Sequence, residues 1–113
     1  VRPTTHMDAP LAILEVVEVA ADGSRTPLCI ELAQPRPHER GGWACLISVD
    51  GYDRYTKDIT GEDSMQTICL ALRFVRLHLE LALARGSRLL DDEGADFPFH
   101  AYFERVVDEK PTA

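Results

Sequence analysis

Residues 63–86, DSMQTICLALRFVRLHLELALARG, form the longest strongly periodic stretch of the chain, and the other segments must be arranged around it. Asp63 is a favourable helix N-cap, and Gln66 follows three residues later, as in a capping box. Gly86 suits the left-handed position that commonly follows a helix C-cap. The pattern therefore predicts one long helix between Asp63 and Gly86.

Apolar residues lie on two sides of this helix. At about 100° per residue, one stripe, which we expect to face the core, comprises Met65, Ile68, Leu72, Val75, Leu79, Ala82 and Leu83. A second stripe comprises Leu70, Phe74, Leu77 and Leu81. Since a helix on a sheet needs only one apolar face, the second stripe predicts another cover. The candidates are the chain's own tail, a second copy of the chain, or a different protein.

Four segments before the helix have the pattern of strands. They are residues 11–20, 26–34, 43–50 and 52–59, and the last is polar, as suits an edge strand. Asp22-Gly23 and Asp50-Gly51 predict two-residue hairpin turns. The predicted fold class is α+β: a four-stranded antiparallel meander sheet, with one long helix from the C-terminal half packed on one face.

An acidic loop and an aromatic tail follow the helix. The loop carries four carboxylates, at Asp91, Asp92, Glu93 and Asp96, and the tail carries Phe97, Phe99, Tyr102 and Phe103. These aromatics need a surface to cover, and the pattern does not decide whether residues 100–107 are helix or strand. We expect residues 1–6 to be vector-derived and disordered, and residues 7–113 to form a single domain.

Composition narrows the class of protein. The 113 residues are 45% hydrophobic and 27% charged, with a net charge of −7. The acidity argues against nucleic acid as a partner and favours another protein, especially a basic one. We expect neither a membrane span nor a signal peptide, and so a cytoplasmic location. The three cysteines form no C-x-x-C pair, which favours buried thiols over a zinc site or disulfides.

No constellation of residues predicts catalysis. Cys45 with His38 or His100 could form a nucleophile and base, but no local signature supports that pairing. The acidic residues around Gly94 lack the spacing of an EF-hand loop. We therefore predict no catalytic residue, no cofactor and no metal site.

Three short motifs resemble a family of small uncharacterised bacterial proteins. They are a W-x-C strand at Trp43 and Cys45, a G-x-D-S-x-Q helix start, and a G-x-x-F-P segment near the end. The second motif comprises Gly61, Asp63, Ser64 and Gln66, and the third Gly94, Phe97 and Pro98. The resemblance covers most of the chain after Met7 and implies structural roles for these residues, with no catalytic ones. The size, acidity and layout also resemble immunity proteins of bacterial toxin systems, an analogy at the level of fold.

The leading hypothesis is a non-enzymatic domain that binds another protein, with neutralisation of a basic toxin as its narrower form. Its partner-binding residues are predicted to be the second stripe and the acidic loop: Leu70, Phe74, Leu77, Leu81, Asp91, Asp92, Glu93 and Asp96. The first alternative is a homo-oligomer, such as a homodimer, that pairs the second stripe with its own copy. The second is an enzyme or small-ligand binder with a pocket near Trp43, Cys45 and His100.

Overall fold

The computed structural model describes residues 7–103 and places one long helix against an antiparallel sheet of six strands. The strands are β1 (Ala12–Val19), β2 (Arg25–Leu32), β3 (Arg36–Pro37), β4 (Trp43–Asp50), β5 (Arg54–Gly61) and β6 (Arg88–Leu90). The helices are α1 (Ser64–Ala84) and α2 (Phe99–Phe103). The predicted disorder of residues 1–6 and the conformation of residues 104–107 lie outside the described residues.

The sheet contains the predicted meander and two further strands. The four expected strands pair in chain order, β1 with β2, β2 with β4, and β4 with β5. Strand β3 continues along the edge of β4 that β2 occupies. Leu32 pairs with Ile47, and four residues later Arg36 pairs with Ala44, which is only three residues along β4. The segment of residues 33–35 therefore contains one extra residue, which is a β-bulge. Strand β6 pairs with β1, so β5 and β6 are the outermost strands.

Both predicted hairpins form, but neither has a two-residue turn. Asp22-Gly23 lies in the turn between β1 and β2, where Gly23 has a φ of 89° and its N–H bonds to the Ala20 carbonyl at 2.8 Å. Since Val19 pairs with Arg25, residues 20–24 separate these two strands. The turn after Asp50 holds residues 51–53 and not two residues, because Asp50 pairs with Arg54. Strand β5 therefore begins later than expected and ends at Gly61.

Both predicted caps of α1 are confirmed. The Asp63 carboxylate accepts a hydrogen bond of 2.7 Å from the Gln66 N–H at the first turn. At the other end Gly86 has a φ of 89°, and the N–H of Ser87 reaches the Ala82 carbonyl at 3.1 Å. That bond is the six-to-one bond of a Schellman motif.

The predicted core stripe of α1 is only partly right. Val75, Leu79 and Ala82 are buried as expected, together with Thr67 and Ala71, which the prediction left out. Met65, Leu72 and Leu83 are instead exposed. Small side chains at positions 67, 71 and 82 allow the helix backbone to lie close to the sheet, so the buried face runs between the two predicted stripes. The larger leucines flank that face on both sides.

The core lies between α1 and one face of the sheet. Alternate residues of the central strands point into it, as the two-residue period of a strand requires. They are Val16 of β1, Leu28, Ile30 and Leu32 of β2, and Cys45, Ile47 and Val49 of β4. Leu89 of β6 and Phe97, which follows the acidic loop, complete the same cluster.

Candidate protein interface

The second stripe of α1 lies along the flank of the helix that faces edge strand β5. Leu70 and Phe74 are half-buried, whereas the side chains of Leu77 and Leu81 are 52% and 53% exposed. An open groove of about 720 Å³ runs along this flank. Its lining residues are Ile59, Leu70, Arg73, Phe74, Arg76, Leu77 and Glu80. A continuous apolar surface with a charged rim is typical of a protein interface.

Strand β5 supplies the floor of this surface through side chains that were not among the predicted site residues. Tyr55, Lys57 and Ile59 point towards α1, because Ile59 pairs with the core residue Cys45 and side chains alternate. The Lys57 ammonium lies 5.7 Å from the centre of the Phe74 ring. The alternation of polar and apolar residues after Asp50 could have indicated this face, once the register with β4 was known.

The outer edge of β5 offers backbone hydrogen-bonding groups. In the turn that closes the β4–β5 ladder, the Gly51 N–H bonds to the Asp53 carbonyl at 2.9 Å. Because bonded and non-bonded pairs alternate along an antiparallel ladder, the odd-numbered residues of β5 are the ones bonded to β4. The backbone groups of Arg54, Thr56, Asp58 and Thr60 therefore face away from β4. Within residues 7–103, no strand pairs with that edge. An open edge beside an apolar groove is a site where a further strand can add.

His78 of α1 lies at the same surface and faces β5. Its Nδ1 is 3.4 Å from the Tyr55 hydroxyl, and the two ring centres are 6.4 Å apart. Burial lowers the pKa of His78, the nearby Arg85 guanidinium lowers that pKa further, and the Glu18 carboxylate opposes the change. These effects favour the neutral imidazole.

The acidic loop uses two of its four carboxylates internally. Asp91 Oδ1 accepts hydrogen bonds of 2.9 Å from the N–H groups of Glu93 and Ala95, which fixes the turn. Asp96 forms an exposed ion pair of 2.9 Å with Arg88. Asp92 and Glu93 are exposed at the tip of the loop.

The two halves of the predicted partner site lie apart. Leu70, Phe74 and Leu77 line the groove beside β5, at one edge of the sheet. The loop of residues 91–96 follows β6, at the other edge. The two halves therefore do not form one continuous patch, because the three strands β4, β2 and β1 separate these edges.

The described part of the aromatic tail follows β6 and does not line the groove. The Phe97 N–H bonds to the Leu89 carbonyl at 2.9 Å, and Phe97 is buried in the core cluster. Phe99 and Phe103 pack against that cluster, with their ring centres 5.1 Å apart. Residues 99–103 form helix α2, which answers part of the question that the sequence left open.

The residues considered for catalysis are not arranged for it. Cys45 is fully buried, and its thiol donates a weak hydrogen bond of 3.3 Å to the Ala33 carbonyl. Burial raises the pKa of this thiol, which disfavours the nucleophilic thiolate. His38 accepts a hydrogen bond at Nδ1 from the Arg40 N–H, and His100 lies beside Phe99 on the exposed side of α2.

The described part of the chain contains neither a metal-binding cluster nor a membrane-spanning helix. Residues 7–103 hold no group of three or more histidine, cysteine or acidic side chains placed to bind a metal ion. Neither α1 nor α2 is both long and apolar enough to cross a bilayer.

Comparison with known proteins gives a family and no function. No significant match is found among curated proteins or among solved structures. The family model of a domain of unknown function, DUF6968, matches residues 15–100, from β1 to the second residue of α2. This match spans most of the sheet, the whole of α1 and the acidic loop, and the chain therefore belongs to the DUF6968 family.

Proposed function

We propose that this domain is a non-catalytic protein-binding module whose interaction surface is the flank of α1 beside β5. The observation that carries the proposal is the exposed pair Leu77 and Leu81, next to a strand edge that is open within the described residues. The apolar surface of exposed leucines on a packed helix is removed from water only when another surface covers it, and that removal is favourable. Backbone groups along β5 add directional hydrogen bonds to that apolar contact.

Photo-cross-linking in the native host tests the proposal. A benzophenone amino acid replaces Leu77 in the full chain, and in a matched control it replaces Ile13, a similarly exposed residue of β1. We expect a covalent adduct with a protein from position 77 and not from position 13. Adding Leu81→Glu should reduce the yield of that adduct, because it places a charge in the apolar surface.

Two results contradict the proposal. One is the absence of an adduct from position 77, and the other is equal labelling from both positions, which would mean non-specific contact. The mass of the adduct also separates a second copy of the chain from a different protein.

Toxin neutralisation is a narrower form of the proposal, in which the partner is a basic protein. It is supported by the net charge of −7 and by the exposed Asp92 and Glu93. On this form of the proposal, a partner captured at position 77 is basic and binds less tightly as salt rises. Replacing both residues by their amides should then slow association, and an unchanged association rate would contradict this form.

A further inference from the structure

The open edge of β5 can pair with the same edge of a second copy. Two antiparallel copies of β5 are related by a two-fold axis normal to the sheet. Side chains on one face then oppose side chains on the same face, and both copies of α1 lie on the same side of the joined sheet. The outward backbone groups of Arg54, Thr56 and Asp58 provide the hydrogen bonds.

The charges of β5 distinguish the possible registers. Four two-fold registers pair five or more residues of each strand, with the axis at residue 56, 57, 58 or 59. An axis at Lys57 opposes two lysines, and an axis at Asp58 opposes two aspartates; like charges directly opposite are destabilising. An axis at Ile59 pairs no opposite charges.

The axis at Thr56 makes the charges complementary. Arg54 then lies opposite Asp58 of the second copy, twice by symmetry, and Tyr55 lies opposite Lys57 of the second copy. Asp58 already bonds Arg36 of its own chain at 2.9 Å, so the second copy's Arg54 would join an existing pair. The charges that make β5 a poor edge for unrelated strands thus fit its own copy in one register.

The same axis also brings the two helix stripes together. Lys57 lies over Phe74, and Tyr55 contacts His78, so Thr56 is level with the helix turn between Phe74 and His78. On the open flank that turn carries Leu77, which meets Leu77 of the second copy. Because paired strands lie about 4.8 Å apart and α1 lies over β4 and β5, the helices come near the roughly 8–10 Å of packed helices.

We infer that the partner at this surface is a second copy of the chain, bound by β5–β5 pairing about a two-fold axis at Thr56. The inference rests on the function proposed above and names the partner. This β5–β5 pairing joins the two sheets into one, and it covers the stripe of Leu70, Phe74, Leu77 and Leu81 without contacts from the acidic loop.

Light scattering of the full chain over a dilution series measures the assembly. We expect a mass of about twice 12.6 kDa at high concentration, falling towards 12.6 kDa on dilution. Leu77→Glu should raise the dissociation constant at least about tenfold, the equivalent of losing about 1.4 kcal/mol. Leu72→Glu is the matched control, because Leu72 is 46% exposed on the opposite flank of α1, and it should leave the constant within about twofold.

Disulfide trapping tests the register. In a Cys69→Ser chain, which lacks the exposed thiol, Thr56→Cys should form a disulfide-linked dimer under mild oxidation. Facing residues of a hydrogen-bonded pair are about 5.5 Å apart between Cα atoms, which a disulfide can span. Thr60→Cys is the control on the same edge, since two copies of residue 60 would lie roughly 27 Å apart at 3.4 Å per residue.

Some results would contradict the β5–β5 pairing but leave the proposed protein-binding function in place. A chain that stays monomeric at high concentration, with a different protein cross-linked at position 77, is one of them. Another is a dimer in which Thr60→Cys cross-links as well as Thr56→Cys, which removes this register. A monomeric chain with no adduct at position 77 overturns both proposals.

Discussion

The Arg85 guanidinium forms two hydrogen bonds with the Glu18 carboxylate, of 3.0 Å from Nε and 2.9 Å from Nη2. They join the C-cap of α1 to β1, across 67 residues of sequence. Ser87 adds a third bond of 2.6 Å to the same carboxylate, which is almost completely buried. The end of the helix is therefore held over the sheet by a satisfied buried charge.

Removing the arginine should destabilise the fold. Arg85→Met leaves the buried Glu18 with only the Ser87 hydroxyl, and we expect the free energy of unfolding to fall by about 1–3 kcal/mol. Arg76→Met, which removes an exposed pair with Glu80, should cost less than about 0.5 kcal/mol. Urea unfolding followed by circular dichroism compares the two variants. Equal losses would show that the Glu18–Arg85 pair has no special role.

Because α1 contacts the sheet through small residues, enlarging one of them should lower stability more than truncating a neighbouring leucine. Ala71 is completely buried, so Ala71→Leu should overpack the contact with the sheet and cost about 1–3 kcal/mol. The neighbouring Leu72 is largely exposed, so Leu72→Ala should change stability by less than about 0.5 kcal/mol. Thermal and urea unfolding would measure both values. The reverse order would mean that the helix packs through the stripe expected from sequence.

Thiol reactivity should divide the cysteines into two classes. Cys69 is exposed, while Cys29 and Cys45 are buried. In folded protein near pH 8, we expect Ellman's reagent to label Cys69 quickly and the other two only after unfolding. Cys69→Ser should abolish the fast phase. Fast labelling that persists in this variant would contradict the buried positions of Cys29 and Cys45.

The buried thiols also give a pH dependence at the alkaline end. Burial, and then the charges of Glu31, Glu15 and Asp50, raise the pKa of Cys29 to about 11 from an ordinary value of 9.0. Between about pH 9 and 11 the unfolded chain loses this proton before the folded chain does. Stability should therefore fall as pH rises through that range, and Cys29→Ala should weaken the dependence. A flat profile in the Cys69→Ser protein would contradict this expectation.

His78 predicts a loss of stability on the acidic side. Its pKa is lowered by burial and by Arg85, so the unfolded chain takes up this proton first as pH falls below about 6.5. The free energy of unfolding should decrease across that range, and His78→Gln should reduce the decrease. An NMR titration measures the midpoint of the imidazole directly. A midpoint at or above 6.5 would refute the effect of burial.

The sequence predicted most of the fold through local signals. Asp63 and Gly86 marked the ends of α1, because caps depend on residues within one turn of the helix. Strand β4 was predicted at its observed bounds, since its short, mainly apolar segment lies between Gly42 and the Asp50-Gly51 turn signal. Strands β3 and β6 were missed, because two or three residues carry too little periodicity, and their strand character comes from pairing with β4 and β1.

The sequence by itself thus determined the helix, the meander, the acidic surface and the presence of surplus leucines on α1. Only the tertiary structure decided which side of α1 faces the sheet, because Thr67, Ala71 and Ala82 are small rather than strongly apolar, and close approach selects for size. The tertiary structure also placed Leu77 beside the open edge of β5 and the acidic loop at the other edge of the sheet. No local pattern in the sequence indicates this separation, because it depends on the order of the strands. The candidate interface therefore follows from sheet order and register, which depend on hydrogen bonds between residues far apart in the chain.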